Sequence, residues 1–300
     1  MSGAPLVTGG AGFAGRHLVE HLRERGEEPA APPRSDLDLL DADAVRAAVR
    51  ELQPSAIFHM AALASVRRSW EEPRRTLVEN LESTLNVLEA VRTEAPEARV
   101  LVVGSGEVYG EPERLPVDEL ALLRPQNPYA VSKAACDLLG GQYADSGRVR
   151  CVRTRSFNHA GPGQSDDYVV GTLTKQVAEA ELAARDEALL RTGDLDSARD
   201  FTDVRDVVRA YATVIDAEPG PYNVCSWRSV RIGEVLELLR EAARVTVRQE
   251  VDPARLRDHD VSEIRGSFER LREATGWEPE IPLERTVADA LQWWRDHLGA

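Results

Sequence analysis

Leu6-Val7-Thr8-Gly9-Gly10-Ala11-Gly12-Phe13-Ala14-Gly15, at residues 6–15, is the stretch whose reading decides the fold. Residues 5–7 form a short apolar run that reads as a strand. Leu18, Val19 and Leu22 then recur at helical spacing until Gly26 ends the helix. Gly10-x-Gly12-x-x-Gly15 lies between the two, where the dinucleotide fingerprint belongs. The glycines allow a tight turn and a close approach of backbone to a pyrophosphate. The helix N-terminus adds unpaired N–H groups and a partial positive charge.

Outward from this turn, strands and helices alternate. Residues 29–34, Pro-Ala-Ala-Pro-Pro-Arg, occupy the place of a second strand but make a poor one, because proline has no ladder donor. Helical patterns follow at 43–49, 76–93 and 129–143, and apolar strands at 56–60, 100–103 and 149–153. This alternation predicts an α/β fold with a doubly wound parallel sheet. Ligands of such sheets bind at the carboxyl ends of the strands. The glycine turn, His59, Ser105 and Ser156-Phe157-Asn158 all follow strand ends, so they are expected to converge on one cleft. Beyond residue 158 come a Gly/Pro/Asp loop, a helix at 170–185, a polar loop at 193–201, a helix at 204–217 and a last helix at 283–297. The expected division is a nucleotide-binding unit of 1–157, rejoined by about 204–226, and a smaller C-terminal substrate-binding unit of 158–203 and 227–300.

Composition narrows the function. The formal charge of −14 disfavours nucleic acid and anionic membrane as partners, so an anionic small ligand needs a local patch of arginine. No apolar run is long enough to span a membrane, and residues 1–5 carry no signal-peptide features, so the chain reads as cytoplasmic. Cys136, Cys151 and Cys225 lack metal or disulfide spacing and read as buried small residues, with no metal expected. Of 37 basic side chains only Lys133 and Lys175 are lysines. A position that stays lysine in so arginine-rich a chain points to a need for a compact ammonium on a flexible stem.

Tyr129-Ala130-Val131-Ser132-Lys133 is YxxxK on a predicted helix, which puts both side chains on one face. An ammonium near a phenol favours phenolate, whose ordinary pKa is about 10. Tyr129 can then exchange a proton with a substrate oxygen while hydride moves to or from a nicotinamide. Ser105, at a strand end, is placed to bond the same oxygen. Arg34 and Ser35, with Asp36 next, end the second strand, where arginine favours a 2′-phosphate and an acid favours a ribose hydroxyl. Arg34 points to NADP over NAD.

With these residues in view, the chain resembles the extended short-chain dehydrogenase/reductases that act on nucleotide sugars. The resemblance spans nearly the whole chain, through TGGAGFAG (8–15), HMAA (59–62), GSGEVYG (104–110), NPYAVSK (127–133), SFNHAGPGQ (156–164), RDFTDVRDVVRAY (199–211), YNVCS (222–226) and TGWEPEIPLE (275–284). Within it, residues 158–164, 199–201 and 252–257 are similar to the GDP-mannose dehydratase and GDP-4-keto-6-deoxy-mannose reductase branch. The resemblance implies a cofactor site of Gly9, Gly10, Gly12, Phe13, Ala14, Arg34, Ser35, Asp38, Leu39, Ala61, Tyr129 and Lys133. It implies catalysis by Ser105, Tyr129 and Lys133, with Glu107 a candidate base. It implies a GDP- or dTDP-linked sugar held by Ser105, Glu107, Asn158, Lys175, Arg199 and Arg255, and a homodimer built on the helices at 76–93 and 129–143. One departure stands out: Ser156 replaces the proline usual before Phe-Asn.

Ser105-Gly106-Glu107 separates the reactions open to this family. A 4,6-dehydratase needs an acid for the departing hydroxyl and a base for a carbon-bound proton. The dTDP-glucose enzymes carry Thr-Asp-Glu here and the GDP-mannose dehydratases Thr-Ser-Glu. Gly106 has no proton to give, whereas ketone reduction needs only Tyr129, Lys133, Ser105 and NAD(P)H. The expected activity is therefore reduction of a nucleotide-linked 4-keto-6-deoxyhexose to a 6-deoxyhexose such as GDP-rhamnose. The alternatives are a 4,6-dehydratase, a 4-epimerase, or a non-enzymatic dinucleotide-sensing regulator.

Overall fold

The computed structural model describes residues 3–253 and 262–299. In chain order the first half contains β1 (Leu6–Thr8), α1 (Phe13–Glu24), α2 (Ala42–Leu52), β2 (Ala56–His59), α3 (Val66–Glu71), α4 (Pro73–Glu94), β3 (Arg99–Val103), a 3-10 turn (Gly106–Tyr109), α5 (Pro128–Asp145) and β4 (Arg150–Ser156). The second half contains β5 (Asn158–Ala160), α6 (Val169–Leu182), β6 (Glu187–Thr192), β7 (Ala198–Asp203), α7 (Val204–Val214), β8 (Gly220–Val224), β9 (Ser229–Arg231), α8 (Ile232–Ala242), β10 (Thr246–Val251), α9 (Glu269–Thr275) and α10 (Leu283–Leu298).

The main sheet is parallel, in the order β1-β2-β3-β4-β8. The proline-rich segment keeps only a fragment of strand character. Val7 donates to the Ala30 carbonyl and Ala30 to that of Pro5, each at 2.8 Å, on the side of β1 opposite β2. The strand order thus reverses at β1, with strand directions kept parallel, and this reversal creates the crevice where open sheets bind ligands. Alternating residues of each strand face two layers. Val7, Phe58, Leu101 and Val152 pack with α1 and α7, while Leu6, Ile57, Val100 and Cys151 pack with α2, α4 and α5. A third cluster joins α6, α8 and α10 to β6 and β10, and Ile264, Phe268, Leu271 and Trp277 belong to the first. All three cysteines are buried and unpaired. Among the described residues no helix is long and apolar enough to cross a membrane.

Two expectations are corrected here. Residues 198–201, read as loop, belong to β7, whose six residues are all buried. Their Ala-Arg-Asp-Phe sequence carries buried polar side chains where an apolar alternation would have announced a strand. His59 also does not reach the cleft. It ends β2 but turns into the interior, with Nδ1 2.9 Å from Thr8 Oγ1 and Nε2 3.2 Å from Thr84 Oγ1.

Burial, then the nearby Lys133 charge, lowers the His59 pKa to about 3. The unfolded chain protonates first, so His59 contributes stability above pH 6.5 that is lost as pH falls from 6.5 toward 3, by up to roughly 1.4 kcal/mol per pH unit. Burial lowers His21 and His159 as well, with the same sign. His59→Asn is expected to be less stable at pH 7, with a pH slope between 6.5 and 5 reduced by one proton's share. Urea unfolding at stepped pH reads both, and an unchanged slope would count against the buried neutral imidazole.

Candidate functional site

A single cleft of about 1990 Å³ runs along the carboxyl ends of β1, β2, β3 and β4 and is closed on its far side by α6, β6 and β7. Pockets for one drug-sized ligand span roughly 300–1,000 Å³, so this volume suits two ligands end to end. Gly9, Gly10, Gly12, Phe13, Ala14, Arg34, Asp38, Leu39 and Ala61 line one end. Ser105, Glu107, Tyr129 and Lys133 line the middle, and Asn158 and Arg199 lie beyond.

The glycine turn fits a dinucleotide on steric grounds. A Cβ at Gly15 would lie 2.1 Å from the Gly9 carbonyl oxygen, and one at Gly10 would lie 2.7 Å from Ala31 Cβ. Gly9 has φ +72°, and a Cβ on it would press on Ala61 at 2.9 Å. The N-terminus of α1 has no side-chain cap and no acid in its first turn. Its N–H groups therefore face the cleft open to an anion. The imidazole of His159 stacks on Phe13 at 5.9 Å, tying the turn to β5.

The middle of the cleft is organised by the starts of two elements. Ser105 caps the 3-10 turn, its Oγ accepting the Glu107 N–H at 3.2 Å. Asn127 caps α5 by accepting the Ala130 N–H at 2.8 Å, and its Nδ2 donates to Glu107 Oε2 at 3.2 Å. One asparagine thus sets both the entry of α5 and the place of the carboxylate. Tyr129 follows within the first turn. Its pKa is raised by burial, and a hydrogen bond with Ser105 offsets part of that rise. The expected lowering by Lys133 is not what this arrangement does. The Lys133 Nζ donates to the Val103 carbonyl at 2.8 Å, and burial lowers its own pKa. The pair is a phenol that holds its proton beside an ammonium anchored on a strand end.

At the far end of the cleft, Asn158 is half-buried and Arg199 is buried, its Nη1 donating to the Ala198 carbonyl at 2.9 Å. Lys175 does not line the cleft. Its Nζ lies 2.7 Å from Asp166 Oδ2 and over the Trp294 ring, which holds it one layer back. Ser35 also stays outside, exposed and bonded to Asp36 at 2.9 Å. Arg34 sits on the rim, 3.7 Å from Glu79. Arg255 lies outside the described residues. Ser156, in place of the usual proline, shares a buried 2.7 Å hydrogen bond with the Tyr211 hydroxyl.

Several lining residues were not foreseen. Arg191 is an exposed β6 residue that nothing distinguishes from its neighbours in so arginine-rich a chain. Arg67 and Trp70 on α3 line the mouth, and the adjacent Arg68 reaches Asp167 across it at 3.3 Å. Asn80 lines the cleft from α4, accepting the Leu63 N–H at 2.7 Å and donating to Ser132 Oγ at 2.9 Å. Its place within an amphipathic pattern was the available signal: a polar residue on the buried face.

Comparison with known proteins agrees with this geometry. The family model described as GDP-mannose 4,6 dehydratase matches residues 33–290. The GDP-6-deoxy-D-mannose reductase of Pseudomonas aeruginosa is 37% identical over 298 residues, covering 98% of this chain and 97% of the relative. The structure of RMD from Pseudomonas aeruginosa complexed with NADPH superposes with a TM-score of 0.89 at 35% identity, covering 99% of this chain and 100% of that one. The UDP-glucose 4-epimerase of Thermus thermophilus, complexed with NAD, gives 0.85 at 31% identity, covering 97% and 99%. The chain belongs to the GDP-mannose 4,6 dehydratase family.

Proposed function

We propose that this chain is an NAD(P)H-dependent reductase of a GDP-linked 4-keto-6-deoxyhexose. The observation that carries the reading is the Ser105-Gly106-Glu107 turn facing Tyr129 in the cleft: a proton donor for one oxygen, and no acid at position 106 for a leaving hydroxyl. A bound nicotinamide cofactor supplies the hydride. Tyr129 gives its proton to the carbonyl oxygen as the alcohol forms. Its raised pKa suits that direction, because the phenol stays protonated at neutral pH. Ser105 bonds the same oxygen, and Lys133 holds positive charge beside the cofactor ribose. The open N-terminus of α1 takes the pyrophosphate, while Arg34 takes a 2′-phosphate. Asn158 and Arg199 serve the sugar diphosphate, with the unit of 158–203 and 227–300 supplying the nucleotide-sugar side. The similarity to GDP-6-deoxy-D-mannose reductase supports the base and the product class.

Glu107 is the observation behind a second reading. A half-buried carboxylate lining the cleft suits a base that removes a carbon-bound proton, as 4,6-dehydration requires. Gly106 stands against it for want of the partner acid.

A dimer is proposed as well. Val78, Leu81 and Leu85 on α4 and Val131 and Leu138 on α5 are exposed, and Leu138 keeps 64% of its surface. Exposed apolar side chains on two packed helices suit an isologous contact between copies of this chain.

With GDP-4-keto-6-deoxymannose, NADPH absorbance should fall, and Tyr129→Phe should slow that loss by about 10²- to 10⁴-fold, the usual share of a positioned acid. Conversion of a GDP-hexose without net cofactor use would favour the second reading. Arg34→Ala should raise the KM for NADPH roughly tenfold and leave that for NADH unchanged, as loss of one exposed phosphate contact implies. Equal effects on both cofactors would remove Arg34 from the 2′-phosphate. Leu138→Arg should shift the native mass by light scattering from dimer to monomer, and a wild-type monomer would refute the proposed contact.

A further inference from the structure

We propose that Arg155 is a positioning residue that sets the distance between Tyr129 and Ser105, holding the helix of one and the turn of the other with a single guanidinium. The proposal rests on the reductase reading, which makes that distance matter. Arg155 is a buried β4 residue that does not line the cleft. Its Nε donates to Asp137 Oδ2 at 2.6 Å and its Nη2 to Asp137 Oδ1 at 3.3 Å. Tyr129, Lys133 and Asp137 follow one another at four-residue spacing on α5, so they share one helix face. Lys133 fixes that face to the end of β3 through the Val103 carbonyl, and Asp137 fixes it to β4 through Arg155. The base of Tyr129 is thus tied to the sheet at two points.

The same guanidinium reaches the turn. Its Nη1 donates to the Tyr109 hydroxyl and to the Glu119 carbonyl, each at 3.0 Å. Tyr109 is fully buried and is the last residue of the 3-10 turn that Ser105 caps. Its hydroxyl donates in turn to Asn223 Oδ1 at 2.7 Å, and Asn223 lies opposite Arg155 in the β4–β8 register. Burial keeps the Tyr109 phenol protonated, so it accepts from Arg155 while donating to Asn223. Glu119 completes the network, its Oε1 accepting the Asn223 N–H at 2.7 Å. A buried ion pair adds little net stability, because desolvation offsets its attraction. What it adds here is direction: the planar fork on Asp137 fixes where Nη1 points, which an ammonium on a flexible stem does not do. Arg155 therefore passes any shift of α5 to the turn, and any shift of the turn to α5. Asp137 also has Arg153 Nε at 3.3 Å, so its charge stays compensated when the fork alone is removed.

The test uses Arg155→Lys, Tyr109→Phe and their double variant in the full-length protein. Val49→Ala, at a buried α2 position away from the cleft, controls for lost stability alone. Readouts are Tm, NADPH Kd by fluorescence, kcat for ketone reduction per titrated NADPH site, and the Ser105 Oγ to Tyr129 Oη separation in crystal structures. Arg155→Lys should lower kcat per site about tenfold or more, with NADPH Kd within about twofold of wild type, since small misplacements act on chemistry first. The separation should lengthen by about 0.5 Å, the scale on which productive geometry is lost. Tyr109→Phe should act in the same direction, and the double variant should lose no more than about twofold beyond Arg155→Lys, as expected of groups acting through one contact. Val49→Ala should lower Tm and leave both kcat per site and the separation unchanged, which separates positioning from a merely structural role. Arg155→Lys with the wild-type kcat or separation, additive losses in the double variant, or an equal loss of kcat in Val49→Ala would overturn the proposal. If Arg155→Lys does not fold, Tyr109→Phe decides: a lower kcat per site with a longer separation supports the proposal, and wild-type values overturn it. If the wild type reduces no ketone, the functional reading falls by itself. The crystal separation then decides the positioning role: lengthening in Arg155→Lys but not in Val49→Ala supports it, and no lengthening overturns it.

Discussion

The close approach of backbone to backbone in the first turn is the constraint on which the rest depends. Gly15 lies so near the Gly9 carbonyl that a methyl group between them has no room, and a Cβ at Gly10 would meet that of Ala31 at 2.7 Å. This contact delivers the open end of α1 to the edge of the sheet. Parallel register then delivers everything else to the same edge. Thr8 pairs with His59, His59 with Val102, and Val103 with Thr154, so the segments after β1, β2, β3 and β4 emerge side by side. Ser105 and Asn158 reach one cleft because of that register.

The second organising effect is desolvation. In this cleft and in the interior beneath it, burial outweighs the neighbouring charges. It raises Tyr129 and lowers Lys133 and His59, the last a neutral imidazole held between two threonines. The outcome is a site poised to donate a proton rather than to hold a phenolate. In a chain of net charge −14, the open end of α1, Lys133 and Arg199 place positive potential in the cleft, away from the acidic surface.

Much of this was legible in the sequence where one physical cause dominates. The glycine turn, the apolar strands and the YxxxK helix each follow from sterics or periodicity alone, and their positions in the structure agree to within a few residues. Legibility failed where tertiary contacts decide. The strand at Ala198–Asp203 is written in polar residues because its buried carboxylates, Asp200 and Asp203, accept hydrogen bonds from Ser226, Gly266, Arg205 and Thr286. His59 follows a strand end, yet side-chain alternation and two buried threonines turn it inward. Lys175 stands out by composition, but Asp166 and Trp294 claim its ammonium. Arg191 carries no local signal.

The central claim is that hydride passes from a nicotinamide to the sugar ketone with net consumption of cofactor. The most direct measurement follows the label from NADPH deuterated at the transferable position of the nicotinamide, with the product read by NMR. The account predicts one deuterium on the new carbinol carbon for each NADPH oxidised. Sugar conversion with no deuterium in the product and no net oxidation of NADPH would contradict it.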